Sequence, residues 1–125
     1  MRLLLDTRVF LWSIGNPEEL REAARTAIVD PDNDVAVSAV SVWEVAIKRS
    51  LGKLNAPIDI VQAIADTRFR PLSITLEHAA GAGALPRHHG DPFDRMLVAQ
   101  AQHETLTLVT RDSHLAAYGV PLLAA

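Results

Sequence analysis

Short apolar blocks alternate along the chain with segments whose polar positions recur at helical spacing, and this alternation sets out the fold. Arg2 to Leu5 is a brief apolar run that stops at Asp6, as a buried strand would. Val9, Phe10, Leu11 and Trp12 suggest a short helix behind it. Asn16-Pro17-Glu18-Glu19 places a cap, a proline at the first helical position and a glutamate at the third, so a helix is expected from there to about Val29. The turn Asp30-Pro31-Asp32-Asn33-Asp34 leads into a second strand at Val35 to Val37. Ser38 to Leu51 reads as a helix closed near Gly52, and another element begins at Ala56-Pro57 and extends to about Thr67. A third strand is expected at Pro71 to Ile74, with Thr75 capping the next helix; Gly81, Gly83 and Pro86 then loosen the chain into the loop Arg87-His88-His89-Gly90. Asp91-Pro92 opens a helix to about His103. Leu106 to Thr110 follows as a strand, Asp112 to Tyr118 as a short helix and Val120 to Leu123 as a last strand. Alternating strands and helices predict an α/β layer fold around a mostly parallel sheet.

Composition adds limits to this outline. A chain of 125 residues with 49% hydrophobic and 22% charged residues is expected to form a single domain over residues 1–125 with a real core, which excludes global disorder. The absence of cysteine removes disulfides, thiolate zinc sites, iron–sulfur clusters and cysteine nucleophiles together. Asp6 and Arg8 interrupt the apolar N-terminus, so it lacks the continuous core of a signal peptide, and no run approaches the roughly 18 apolar residues of a membrane span. A soluble protein of the reducing cytoplasm is expected, with no membrane partner. Twelve Lys and Arg against fifteen Asp and Glu give a net charge of −3, which argues against gripping nucleic acid by bulk positive charge.

Several carboxylates do not look like solvated surface. Asp6 and Asp112 each follow a predicted strand, where ligands of open α/β sheets gather, although each could equally cap the helix behind it. Glu44 lies in Val40-Ser41-Val42-Trp43-Glu44-Val45-Ala46-Ile47, a stretch apolar on nearly every side and therefore expected to be largely buried. A buried carboxylate needs a partner. Lys48 at i+4 is one candidate and a bound cation is the other, which suits the setting better. Asp91 and Asp94 fit the cap and third positions of their helix, and dipole stabilisation alone could account for both. If Asp6, Glu44, Asp94 and Asp112 converge, each pair at about 4 Å repels by roughly 4 kcal/mol at an effective dielectric near 20. Only bound cations would make such a cluster tolerable. An all-oxygen donor set favours Mg²⁺ or Mn²⁺ over zinc, and such ions activate water and stabilise charge on a phosphodiester.

At these residues the sequence resembles the PIN-domain nucleases, most closely the VapC-type ribonuclease toxins of bacterial toxin–antitoxin systems. Leu3-Leu4-Leu5-Asp6-Thr7 is similar to that family's opening strand and first acid, and Ser41 to Lys48 to its glutamate helix. Asp91-Pro92-Phe93-Asp94-Arg95-Met96-Leu97-Val98-Ala99-Gln100-Ala101 is the most specific stretch, with Asp94 at the third acidic position and Asp91 as an accessory acid. Thr110-Arg111-Asp112 resembles the closing T-x-D, in which Asp112 is the fourth acid and the Thr110 hydroxyl supports it. Arg8 stands where a histidine is frequent, and Leu115 near an expected aromatic. The resemblance implies a three-layer α/β/α PIN-like fold with about five strands, a Mg²⁺-dependent endoribonuclease in which Mn²⁺ can substitute, a homodimer, and inhibition by a small antitoxin protein. It also implies that Asp6, Glu44, Asp94 and Asp112 hold the metal and carry catalysis.

Rival chemistries lack their residues. A haloacid-dehalogenase-type phosphatase would need an acid where Arg8 stands, and a phosphoacceptor receiver domain a late lysine that the segment after Asp112 does not contain. Asp30-x-Asp32-x-Asp34 imitates a calcium loop, but Val35 replaces its glycine and Ser41 its terminal glutamate. His88-His89 suggests loop or RNA contact rather than zinc, because adjacent side chains rarely meet at one ion. Trp12 and Trp43 read as core or interface residues rather than base-stacking platforms. Arg87, Arg95 and Arg111, neighbours of the acids in sequence, are expected to contact RNA phosphates. A non-toxin PIN nuclease of RNA processing and a non-catalytic PIN-like binding module are the competing functions. Assigning four acids to one site leaves the rest of the chain at −3 + 4 = +1, so the acidity is localised rather than general.

Overall fold

The computed structural model describes residues 1–55 and 59–125. Its centre is β1 (Arg2–Leu5), whose Leu3, Leu4 and Leu5 are wholly inaccessible to solvent. Such an apolar run suits a central parallel strand covered on both faces. Strands β2 (Asp34–Ser38), β3 (Arg70–Leu72), β4 (Thr107–Thr110) and β5 (Leu122–Ala124) complete an all-parallel sheet in the order β3-β2-β1-β4-β5. Register pairs Leu4 with Ala36 on one side and Leu108 on the other.

Strand alternation divides the core. Leu3, Leu5, Val35, Val37 and Val109 face one way, against Val9 and Phe10 of α1 (Thr7–Gly15), Ala24 and Ile28 of α2 (Glu22–Val29), and Ile60 and Ile64 of α4 (Ile60–Ala65). Leu4, Ala36 and Leu108 face the other way, against Leu97, Val98 and Ala101 of α6 (Pro92–Glu104) and Leu115 of the 3-10 turn Ser113–Tyr118. Helix α3 (Ala39–Ser50) reaches both clusters through Val40 and Val45, and α5 (Leu76–Ala84) packs on α6. The result is the α/β layer fold that the pattern predicts, in the three-layer α/β/α form that the resemblance implies.

Four boundaries differ from the sequence expectation. The helix expected from Asn16 to Val29 is interrupted: Pro17–Glu19 is one 3-10 turn, Leu20 and Arg21 are extended, and α2 starts at Glu22. Asn16 makes no side-chain capping bond, and its N–H instead closes α1 on the Trp12 carbonyl. The break turns Leu20 into the core, where it is 5% exposed. Gly81 and Gly83 lie inside α5 rather than ending it, and the face of Gly81 lies so close to α6 that an added Cβ would sit 3.7 Å from that of Ala99. The third strand stops at Leu72 and the last begins at Leu122. The expected start at Ala56-Pro57 lies outside the described residues.

The winding order creates the site. The chain moves outward from β1 through β2 to β3, crosses back, and continues outward from β4 to β5. The carboxyl ends of β1 and β4 are therefore the topological switch point, where open α/β sheets bind ligands. Asp6 follows β1 directly, and Asp112 stands two residues beyond Thr110 at the end of β4.

Candidate active site

The four acids expected at the site line one cleft of about 330 Å³, together with Asp91, Arg8, Lys48, His89 and Arg111. Asp6 reaches it from the N-cap of α1, where its Oδ1 accepts the Val9 N–H at 2.8 Å. Asp112 caps the 3-10 turn beyond β4, its Oδ1 accepting the His114 N–H at 3.0 Å. Capping and site membership thus coincide in both residues. Thr110 links them, because its hydroxyl accepts the Asp112 N–H at 3.1 Å and bonds the Asp6 carboxylate. Asp91 caps α6 through the N–H groups of Phe93 and Asp94, which places Asp94 one turn into that helix and toward the same cleft.

Glu44 is buried, at 6% exposure, but α3 as a whole is not enclosed on nearly every side. Val40, Ser41, Glu44 and Val45 form its buried face, whereas Trp43 on the opposite side is 59% exposed. The reason is helical geometry: positions 40, 41, 44 and 45 share one face, and the apolar Val42, Trp43 and Ala46 beside them are only partly covered or exposed. Glu44 has both partners that a buried carboxylate needs. The Thr7 hydroxyl donates to Oε1 at 2.5 Å, and Lys48 Nζ forms a short ion pair with Oε2. The i,i+4 bridge weighed from sequence is therefore present alongside the cleft location.

Electrostatics single out Asp94. Burial, then the neighbouring charges of Asp91, Asp6 and Glu44, push its carboxyl from an ordinary 3.8 up to about 7, with His89 opposing. Burial also raises Asp6, against hydrogen bonds from Thr110 and Val9. For Asp112 burial acts upward as well, but bonds from His114 and His89 outweigh it and leave the carboxyl below its usual range. Five carboxylates, of which Glu44 is the buried one, line the cleft against Arg8, Lys48 and Arg111. An oxygen donor set of this kind fits a hard divalent cation.

The arginines divide. Arg95, expected at a phosphate, is engaged within the chain: its guanidinium donates to the carbonyls of Pro86, Ala82 and Leu85 at 3.0 Å each and to the Tyr118 hydroxyl at 3.4 Å. Its fork is thereby spent on the loop before α6. Arg111 lines the cleft, stacked 4.1 Å over the Trp12 ring, and donates to the carbonyls of Ala125 and Glu19. Arg87 is exposed and borders a separate cavity of about 290 Å³ beside His88. Arg8 and Lys48, which the expected phosphate contacts did not include, also line the cleft. Trp12 packs partly on the core, as expected, while Trp43 stands on the surface with its ring edge-on to Phe93 at 5.5 Å. A larger apolar groove of about 630 Å³ runs along α1 and shares Thr7, Arg8, Trp12, Glu44 and Lys48 with the cleft.

Histidine 89 is the residue that sequence reasoning left outside. It faces Asp112 at 2.8 Å and Asp94 at 3.7 Å, whereas His88 turns away to the Tyr118 ring. Only its position two residues before Asp91 hinted at this. Among the described residues a second grouping, His78, His103 and Glu104, also has ligand-type atoms close together. There the Thr75 N–H donates to His78 Nδ1 at 3.1 Å, so the neutral ring carries its proton on Nε2, facing Glu104. A protonated nitrogen is a donor, not a ligand. Asp30, Asp32 and Asp34 form the expected polar turn, with Asp34 paired to Arg70 at 3.1 Å.

Comparison with known proteins bears on the fold and the family. The chain is 35% identical over 123 residues to Ribonuclease VapC22 of Mycobacterium tuberculosis, covering 95% of this chain and 93% of that protein. Among solved structures it resembles VapBC2 from Rickettsia felis bound to a promoter DNA fragment, with a TM-score of 0.73, 16% identity and coverage of 100% and 99% of the two chains. It also resembles VapBC-5 of Mycobacterium tuberculosis, a member of the VapBC family of toxin–antitoxin systems, with a TM-score of 0.62, 22% identity and coverage of 99% and 98%. The family model for the PIN domain matches residues 3–121, and the chain belongs to the PIN domain family.

Proposed function

We propose that the protein is a Mg²⁺-dependent endoribonuclease, with Mn²⁺ able to substitute, that hydrolyses RNA phosphodiester bonds as the toxin of a toxin–antitoxin pair. The observation that carries this reading is the meeting of Asp6, Glu44, Asp94 and Asp112 in one cleft at the switch point of the sheet. The ribonuclease name of its 35% identical relative supports the substrate class. Two of its fold neighbours are VapBC proteins, which supports a small antitoxin as partner and a cytoplasmic setting.

In this reading the four carboxylates hold the ion, and the chemistry it supplies is activation of water and neutralisation of charge on the scissile phosphate. Thr110 and Asp91 are accessory: Thr110 keeps Asp6 and Asp112 together, and Asp91 fixes the first turn of α6 and with it Asp94. Arg8, Arg111 and Lys48 give an anionic strand a route past the acids, and Arg87 offers a further phosphate contact on the adjoining loop. A homodimer belongs to the same proposal, and the exposed Trp43, edge-on to the half-buried Phe93, suits a face covered by a second copy.

The test is RNA cleavage by the purified protein in Mn²⁺, in chelator, and as Asp6→Asn. Cleavage in Mn²⁺ alone is expected; full activity in chelator or in the variant would overturn the proposal. Growth arrest on expression, relieved by co-expressing the antitoxin, separates a toxin from an RNA-processing enzyme. Binding without cleavage would instead mark a non-catalytic module.

A further inference from the structure

We infer that His89 is a positioning residue of the acidic cleft, holding Asp112 beside Asp94 as a hydrogen-bond donor and not as a metal ligand. The inference rests on the metal-dependent reading of the site given above. It starts from the ring's two nitrogens. Nδ1 receives the Asp91 backbone N–H at 3.1 Å, and an amide N–H can only donate, so that nitrogen must offer its lone pair. In the neutral ring the proton therefore lies on Nε2, which points at Asp112 Oδ2 at 2.8 Å and lies 3.7 Å from Asp94 Oδ2. The three groups are close enough for a shared ion by distance alone, but the tautomer assigns His89 to the carboxylates instead.

The surrounding chain is built to hold this ring. The Tyr118 hydroxyl, at the end of the 3-10 turn that Asp112 caps, accepts the His89 N–H at 2.9 Å. Arg95 ties Pro86, Leu85 and Ala82 to α6 and reaches the same Tyr118 hydroxyl. His89 thus closes a circuit from the first turn of α6, through the imidazole, to the end of β4. The Nε2–H fixes the Asp112 carboxylate on the side of the cleft where Asp94 stands, 3.7 Å from the same nitrogen. Groups of this kind, which orient ligand oxygens without touching the ion, typically change metal affinity or activity by about 10–100-fold when removed.

Glutamine can place an N–H near the Nε2 position, whereas asparagine and alanine cannot. Mn²⁺ affinity, measured by electron paramagnetic resonance on the purified protein, is expected to fall about 10–100-fold in His89→Asn and His89→Ala and to stay within about threefold in His89→Gln. Cleavage should follow the same order and recover in the weakened variants as Mn²⁺ is raised, with KM for RNA unchanged. In the metal-free protein, nitrogen-15 shifts should show His89 with Nε2 protonated and Nδ1 bare. Thermal unfolding checks that each variant folds, and if alanine does not, the asparagine–glutamine comparison decides. Unchanged Mn²⁺ affinity in His89→Asn, equal loss in His89→Gln, or an Nδ1-protonated ring would overturn the inference and leave the ribonuclease reading intact. An unsubstituted protein that neither binds Mn²⁺ nor cleaves RNA would overturn both.

Discussion

Without a cation nearby, the Asp94 carboxyl keeps its proton up to about pH 7, because burial and then Asp91, Asp6 and Glu44 disfavour its charge. Its ordinary value is 3.8, so the folded state binds this proton more tightly than the unfolded chain does. The stability contributed is complete below about pH 4 and is lost as pH rises through about 7. In chelator, the melting temperature of Asp94→Asn relative to the unsubstituted protein is expected to climb across that interval. The check is thermal unfolding of both proteins at a series of pH values, and a constant difference would contradict the assignment. The same substitution should abolish RNA cleavage, since it removes one of the four carboxylates. Site chemistry and stability are opposed at this residue, as is common where a cluster is arranged for function.

At the scale of elements, the loop before α6 is held by side chains rather than by regular structure. Arg95→Ala removes the bonds to Pro86, Ala82 and Leu85 and leaves these carbonyls dependent on water. A loss of about 1–3 kcal/mol in urea unfolding is expected, with the salt dependence of RNA binding unchanged. A weaker salt dependence would restore the phosphate role that sequence position suggested. Helix α5 tests the capping argument independently. Thr75 and His78 form a reciprocal capping box, so Thr75→Ala is expected to cost about 0.5–2 kcal/mol, measured by the same unfolding.

At the scale of the whole molecule, metal and fold should be linked. An ion that binds only the folded state stabilises it by about 2.7 kcal/mol at one hundred times its dissociation constant. Mn²⁺ is therefore expected to raise the melting temperature of the unsubstituted protein, and to do so more as pH rises through about 7, where the Asp94 proton no longer competes for the site, and to leave Asp6→Asn nearly unaffected. Differential scanning fluorimetry with and without chelator measures both. The net charge of −3 has the same origin: its acids are gathered at the switch point, and the rim beside them carries Arg8, Lys48 and Arg111.

What the sequence determined by itself was local. The apolar run ending at Asp6, the Asp91-Pro92 start and the Thr75 cap are each set by neighbours within a turn, so period and capping chemistry were enough to read them. The resemblance carried by Asp6, Glu44, Asp94 and Asp112 could nominate the acids but could not bring them together. Tertiary structure decided that, because strand order places β1 beside β4 across about a hundred residues of chain. It also split the expected helix at Leu20, where burial of one side chain outweighed the capping pattern around Pro17. Arg95 and His89 show the same limit. Arg95 was named from its neighbours in sequence and His89 was read as a loop or RNA contact, yet His89 meets Asp112 and Arg95 meets Tyr118, each 23 residues along the chain. A side chain's partner is chosen by the packing of distant elements, and no local period encodes it.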